Sequence, residues 1–142
     1  KEMKKSELKN IIKECIKEFK LNAENINTDN LSVIVLKCVS VLFDYFNDNI
    51  KSQKIILSNE FGNSIETEVF NELSSTIQSY IDTNIDLPDM FNKDGVYRVF
   101  TQIIISIFAL NIKESMSINE VGKIEAHRAG HAYLLSWVNQ NS

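Results

Sequence analysis

The stretch SINEVGKIEAHRAGHAYLLSWV, from Ser117 to Val138, holds both histidines, the only tryptophan and two of the four glycines. At about 100° per residue, an α-helix over this stretch carries apolar side chains on nearly all sides. Ser117 followed by Glu120 has the spacing of a capping box, which predicts that the helix begins there. Such a helix needs cover on more than one side, from helices of the same chain or from a partner.

One side of this helix combines small and aromatic residues. Ala126, Gly130, Tyr133 and Trp137 follow one another at helical spacing. Small residues let another helix approach closely, and the aromatic residues beside them supply a large contact area. This pattern predicts an interaction surface that binds a second copy of the chain or another protein.

The two histidines form the one candidate site for chemistry. His127 and His131, four residues apart, lie about 6 Å apart on one side of a helix, which is close enough to share a metal ion. Glu120 lies on the same edge two turns earlier and is a candidate third ligand. We therefore keep zinc or another divalent transition metal as an alternative, although HExxH is absent and both histidines also suit a purely structural role.

Three long apolar patterns in the remaining chain, together with residues 117–138, predict an all-α fold. The helices are expected near residues 31–48, 64–83, 96–112 and 117–138, as an antiparallel four-helix bundle. Few glycines and one proline interrupt these patterns. Residues 50–62 fit either a short strand or further helical turns, so their conformation is left open. The connection at residues 82–95 is acidic, with Met90 and Phe91 either tucked into the core or offered to a partner.

The first 20 residues predict an additional amphipathic helix, at residues 5–20. Leu8, Ile12 and Phe19 belong to its apolar stripe, and seven lysines against four glutamates give this segment a net charge of +3. The rest of the chain, residues 21–142, is therefore acidic, and we treat the whole as one domain. The basic helix either completes the core or docks in a groove of another molecule, where Leu8, Ile12 and Phe19 would make the contacts. A third possibility is that it lies on an anionic membrane.

Composition favours a protein partner over nucleic acid or a membrane. The formal net charge is −4 and arginine occurs at only two positions, so the chain has few side chains suited to binding phosphates. The longest apolar runs are interrupted by charged residues. Two cysteines on apolar helix faces suggest buried reduced thiols and a cytoplasmic protein.

The sequence predicts a non-enzymatic protein that acts through protein–protein interaction and forms a homo-oligomer. The chain lacks the glycine-rich phosphate loops and the G-x-S-x-G motif, so no catalytic residues or cofactor are assigned. A regulator, an inhibitor or immunity-type protein, and a phage or bacterial assembly factor all fit these properties. The alternative is a metal-binding protein or metal-dependent enzyme that uses the His-x3-His helix.

Overall fold

A computed structural model describes the backbone of residues 2–57 and 67–140, and the side chains of residues 7, 9–54 and 68–139. The described residues form helices and connections, with no strand, which confirms the all-α class. The helices are α1 (Glu2–Asn22), α2 (Leu31–Asn47), α3 (Ile50–Leu57), α4 (Thr67–Asn84), α5 (Lys93–Ser115) and α6 (Glu120–Gln140). Residues 50–57, left open by the sequence, are helical, and the predicted helix start at residue 64 lies outside the described residues.

The helices pack on one another in a circuit. α1 packs on α2, α2 on α6, α6 on α5, α5 on α4, and α4 returns to α1. α3 packs mainly against α5. Phe108 of α5 makes edge-to-face contacts with Phe43 and Phe46 of α2, at centroid distances of 6.2 and 6.1 Å. Burial of such aromatic side chains provides much of the stability of a core.

Contacts along α6 show that it runs antiparallel to both of its neighbours. Gly122 approaches Asn111 and Gly130 approaches Phe100, so the numbering rises along α6 as it falls along α5. Lys123 lies 5.3 Å from the centre of the Phe43 ring, while His131 shares a depression with Ser32 at the start of α2. α6 is therefore held between α2 and α5.

Side-chain hydrogen bonds join the C-terminal end of α4 to the connection between α1 and α2. Asn84 Nδ2 donates to Asn25 Oδ1 at 3.1 Å, and the Tyr80 hydroxyl donates to the Glu24 carbonyl at 2.7 Å. In the connection between α4 and α5, Met90 is buried in the core, whereas Phe91 is 86% exposed.

α5, with 23 residues, is the longest helix in the described part of the chain. It is also the one described helix whose length and composition would allow it to cross a membrane. Of its most apolar stretch, 56% is buried inside this fold. Such burial is typical of a core helix.

Candidate functional site

The start of α6 is fixed by an asparagine pair and not by the predicted capping box. α6 begins at Glu120, and Ser117 lies in the connection before it. Asn119 Oδ1 accepts a hydrogen bond from the Val121 backbone N–H at 3.0 Å, so Asn119 caps the helix. Its own N–H donates to Asn111 Oδ1 at 2.8 Å, and Asn111 Nδ2 donates to Asn119 Oδ1 at 2.9 Å. The prediction that Ser117 caps the helix was wrong. The contact between Asn111 and Asn119 depends on how α5 and α6 pack, which the spacing of residues along one helix does not show.

The inner side of α6 carries the small residues that were expected at an interface. Ala126 is fully buried, and Gly130 is buried against α5 and α2. A Cβ atom on Gly130 would lie 2.9 Å from Phe100 Cε1 and 3.6 Å from Val35 Cγ1. Tyr133 and Trp137 are partly buried against the same core. These residues provide close helix packing, and the helices they contact belong to the same chain.

The predicted contact residues of α1 also lie on its inner side. Ile12 and Phe19 are fully buried, and the Phe19 ring makes an edge-to-face contact with Tyr80 of α4 at 5.6 Å. Leu8 lies within α1, but its side chain is outside the described part of the structure. The described residues Ile12 and Phe19 of this stripe are thus part of the core.

His127 and His131 stack on each other on the side of α6 that faces α2. Their ring centroids are 6.0 Å apart and the rings are nearly parallel, with an interplanar angle of 10°. His127 Nε2 lies 3.0 Å from the Ser32 carbonyl oxygen and 3.1 Å from Ser32 Oγ. Because a carbonyl oxygen only accepts, His127 Nε2 donates to it and carries the proton. His127 therefore holds the start of α2 against α6.

His131 lines a depression between α2, α6 and the connection before α5. The acidic residues that line the same depression are Asp29 and Asp86. Glu120, the third candidate ligand, is exposed at the first residue of α6, about 10 Å along the helix from His127. No three His, Cys, Asp or Glu side chains among the described residues are placed to hold one metal ion.

Both cysteines are buried free thiols in the core. Desolvation by burial raises the pKa of Cys15 to about 12, with Glu14 and Glu18 adding to the effect. Burial also raises the pKa of Cys38. A thiol that keeps its proton at neutral pH is a poor nucleophile, so neither side chain is prepared for covalent chemistry.

The outer side of α6 is exposed and partly apolar. Val121 is 63% exposed, Ile124 54% and Leu135 37%. Glu125, Arg128 and Ala132 are exposed between them. Sequence analysis did not select these residues, because α6 is apolar on most sides and the pattern alone does not say which side the other helices cover.

Exposed apolar residues on the two neighbouring helices flank this outer side. Leu36 of α2 is four residues after Ser32 and seven before Phe43, both of which contact α6, so it lies on the α6 side of α2. Val99 and Leu110 of α5 directly precede Phe100 and Asn111, which contact α6. We call the combined surface the α6 outer face. Its apolar members are Leu36, Val99, Leu110, Val121, Ile124 and Leu135.

Comparison with known proteins identifies no relative. The chain matches no family model, no curated protein and no solved structure.

Proposed function

We propose that this chain is a non-enzymatic helical protein that acts by binding other proteins and that it self-associates. A regulator, an inhibitor or immunity-type protein, and a phage or bacterial assembly factor remain the candidate roles, with the cytoplasm as the expected location. The observation that carries the proposal is the α6 outer face, where six large apolar side chains stay exposed on three adjacent helices. Single exposed apolar residues are common on monomers, whereas groups of them mark interaction surfaces.

The proposed arrangement is an antiparallel four-helix bundle of α2, α4, α5 and α6, with α1 as an additional helix. The antiparallel course of α6 beside α2 and α5 supports it. In such a bundle each helix offers one side to the core, and the opposite side is free for a partner.

The direct test is the mass of the protein in solution. We expect size-exclusion chromatography with light scattering to show a dimer or larger species for the wild type. Ile124→Asp places a charge in the α6 outer face and should give a monomer, because burying an unpaired carboxylate is costly. Leu21→Asp is the matched control, since Leu21 is also exposed but belongs to α1.

Two results would contradict self-association through this face. One is a wild-type monomer at the highest soluble concentration. The other is an Ile124→Asp variant that keeps the wild-type mass. Circular dichroism of both variants should match that of the wild type, so that a change in mass reports on association alone.

Metal binding through His127 and His131 is the second candidate. It is favoured by the 6.0 Å distance between the two imidazole ring centroids and by the depression that His131 lines together with Asp29 and Asp86. Protein purified without a histidine tag should then contain stoichiometric zinc, iron or nickel, and the His131→Ala variant should lose it. Metal-free protein whose melting temperature does not change when zinc is added would exclude this candidate.

A further inference from the structure

We propose that the α6 outer face is a homodimer interface in which the α6 helices of two copies run antiparallel about a two-fold axis. The axis passes between the levels of residues 126 and 127. This inference rests on the proposed self-association and adds its geometry. It assigns the contact to the outer side of α6, opposite to the side that the sequence pattern selected.

The first argument is the spacing of the residues along the outer side of α6. Val121, Glu125, Arg128 and Ala132 are separated by four, three and four residues. At about 100° per residue they form one stripe that covers a sector of roughly 60°. The spacing reads the same from either end, which is what a helix needs in order to pair with its own antiparallel copy. Val121 then lies opposite Ala132 of the second copy, and Glu125 lies opposite Arg128 of the second copy.

The second argument is charge. Glu125 and Arg128 are exposed, and the structure pairs neither with another described residue. A two-fold axis between them brings each carboxylate to a guanidinium of the other copy and forms two identical ion pairs. A face that contacts a copy of itself must be self-complementary, and one acid and one base placed symmetrically about the axis meet that condition.

The third argument is shape. Ala132 is small and exposed at the C-terminal end of the stripe, so it leaves room for the Val121 side chain of the second copy. Packed helices lie about 8–10 Å apart, and small residues at the contact allow the shorter distance. One helix side falls short of the roughly 800 Å² per partner of a stable interface. The apolar residues that α2 and α5 place beside it extend the surface, with Leu36 on one side and Val99 and Leu110 on the other.

Reversing the charge of Glu125 or Arg128 tests the register, which is the set of residues that lie opposite each other in the two α6 helices. Glu125→Arg alone gives two arginines on each copy, and Arg128→Glu alone gives two glutamates. Each variant by itself should dimerise about tenfold more weakly or worse, because like charges then face each other across the axis. An equimolar mixture of the two variants should form heterodimers with near wild-type affinity, since both contacts become pairs of opposite charge.

The double variant Glu125→Arg with Arg128→Glu should also recover the homodimer, because it exchanges the two charges and restores both pairs. Analytical ultracentrifugation measures all four dissociation constants, and circular dichroism checks that each variant is folded. Recovery in the mixture and in the double variant supports this register.

The outcomes separate this inference from the proposed function. If the wild type dimerises and Ile124→Asp is monomeric, but neither the mixture nor the double variant recovers affinity, self-association stands and the antiparallel α6 register is wrong. If reversal of either charge leaves dimerisation unchanged, the register is again wrong. A wild type that is monomeric throughout overturns both proposals.

Discussion

The two sides of α6 differ in how they use apolar residues. On the inner side, Ala126, Gly130 and Leu134 are fully covered, and two of these three are small so that α5 and α2 can approach. On the outer side, the larger Val121 and Ile124 remain more than half exposed. Ala126 and Gly130 thus allow close packing within the fold, whereas Val121 and Ile124 remain accessible to a partner.

The largest predicted difference is in the free energy of unfolding lost when each of two adjacent leucines, on opposite sides of α6, is replaced. Leu134 is completely buried and Leu135 is 37% exposed. Leu134→Ala should lower the free energy of unfolding by about 2–5 kcal/mol, because it removes buried contacts and leaves a cavity. Leu135→Ala should cost about 1 kcal/mol or less, since most surface changes are mild.

Urea unfolding of the two variants measures this contrast. Because self-association adds apparent stability, both should be measured at one low protein concentration. Equal losses for the two variants would show that the assignment of inner and outer sides is incorrect.

Disrupting the asparagine pair at the start of α6 should cause the next largest loss of stability. Asn111→Ala removes two hydrogen bonds that join α5 to the cap of α6. The loss leaves the Asn119 N–H without its partner and should cost about 1–3 kcal/mol. Asn47→Ala, at an exposed position at the end of α2, is the control and should change stability little. Thermal unfolding compares them, and a negligible effect of Asn111→Ala would mean that the pair does not hold α6 in place.

Alkaline pH gives the smallest effect and tests whether the interior covered by α1 excludes water. The Cys15 thiol ionises near pH 9 when unfolded, whereas burial raises its pKa to about 12 in the folded state. The folded state therefore binds the proton more tightly, and the resulting stability is complete below pH 9 and is lost as pH rises towards 12. Burial likewise raises the pKa values of Tyr45 and Tyr80 to about 12 from 10, which steepens the decline above pH 10.

Cys15→Ala isolates the contribution of the thiol. The free energy of unfolding of this variant, measured across pH 8 to 11, should decline less steeply than that of the wild type above pH 9. Identical slopes would indicate that the Cys15 thiol has an ordinary pKa and is reached by water.

Sequence periodicity was sufficient to predict the long helices. The predicted ranges 31–48, 96–112 and 117–138 correspond to the observed Leu31–Asn47, Lys93–Ser115 and Glu120–Gln140. Apolar residues at helical spacing are a local signal, and packing reinforced it here. α3 was left open because Lys54-Ile55-Ile56-Leu57 is too short for its period to separate helix from strand.

The candidate site was harder to predict because it depends on contacts between distant residues. Gly130 suggested close approach by another helix, but only the position of Phe100 shows that this helix is α5. His127 and His131 suggested a metal site, whereas the structure adds the hydrogen bond from His127 to Ser32, 95 residues away. Glu125 and Arg128 could be considered as a symmetric pair only after the structure showed which side of α6 is covered by other helices.

Disulfide cross-linking tests the pairing of the outer side most directly. In the antiparallel register, residue 121 of one copy lies opposite residue 132 of the other, whereas two copies of residue 121 are about 16 Å apart. Disulfides require Cα atoms within about 7 Å. An oxidised mixture of the Val121→Cys and Ala132→Cys variants should therefore yield cross-linked dimers, and neither variant should do so alone. Cross-linking within either variant alone, or its absence from a mixture that is dimeric in solution, would contradict the antiparallel pairing of α6.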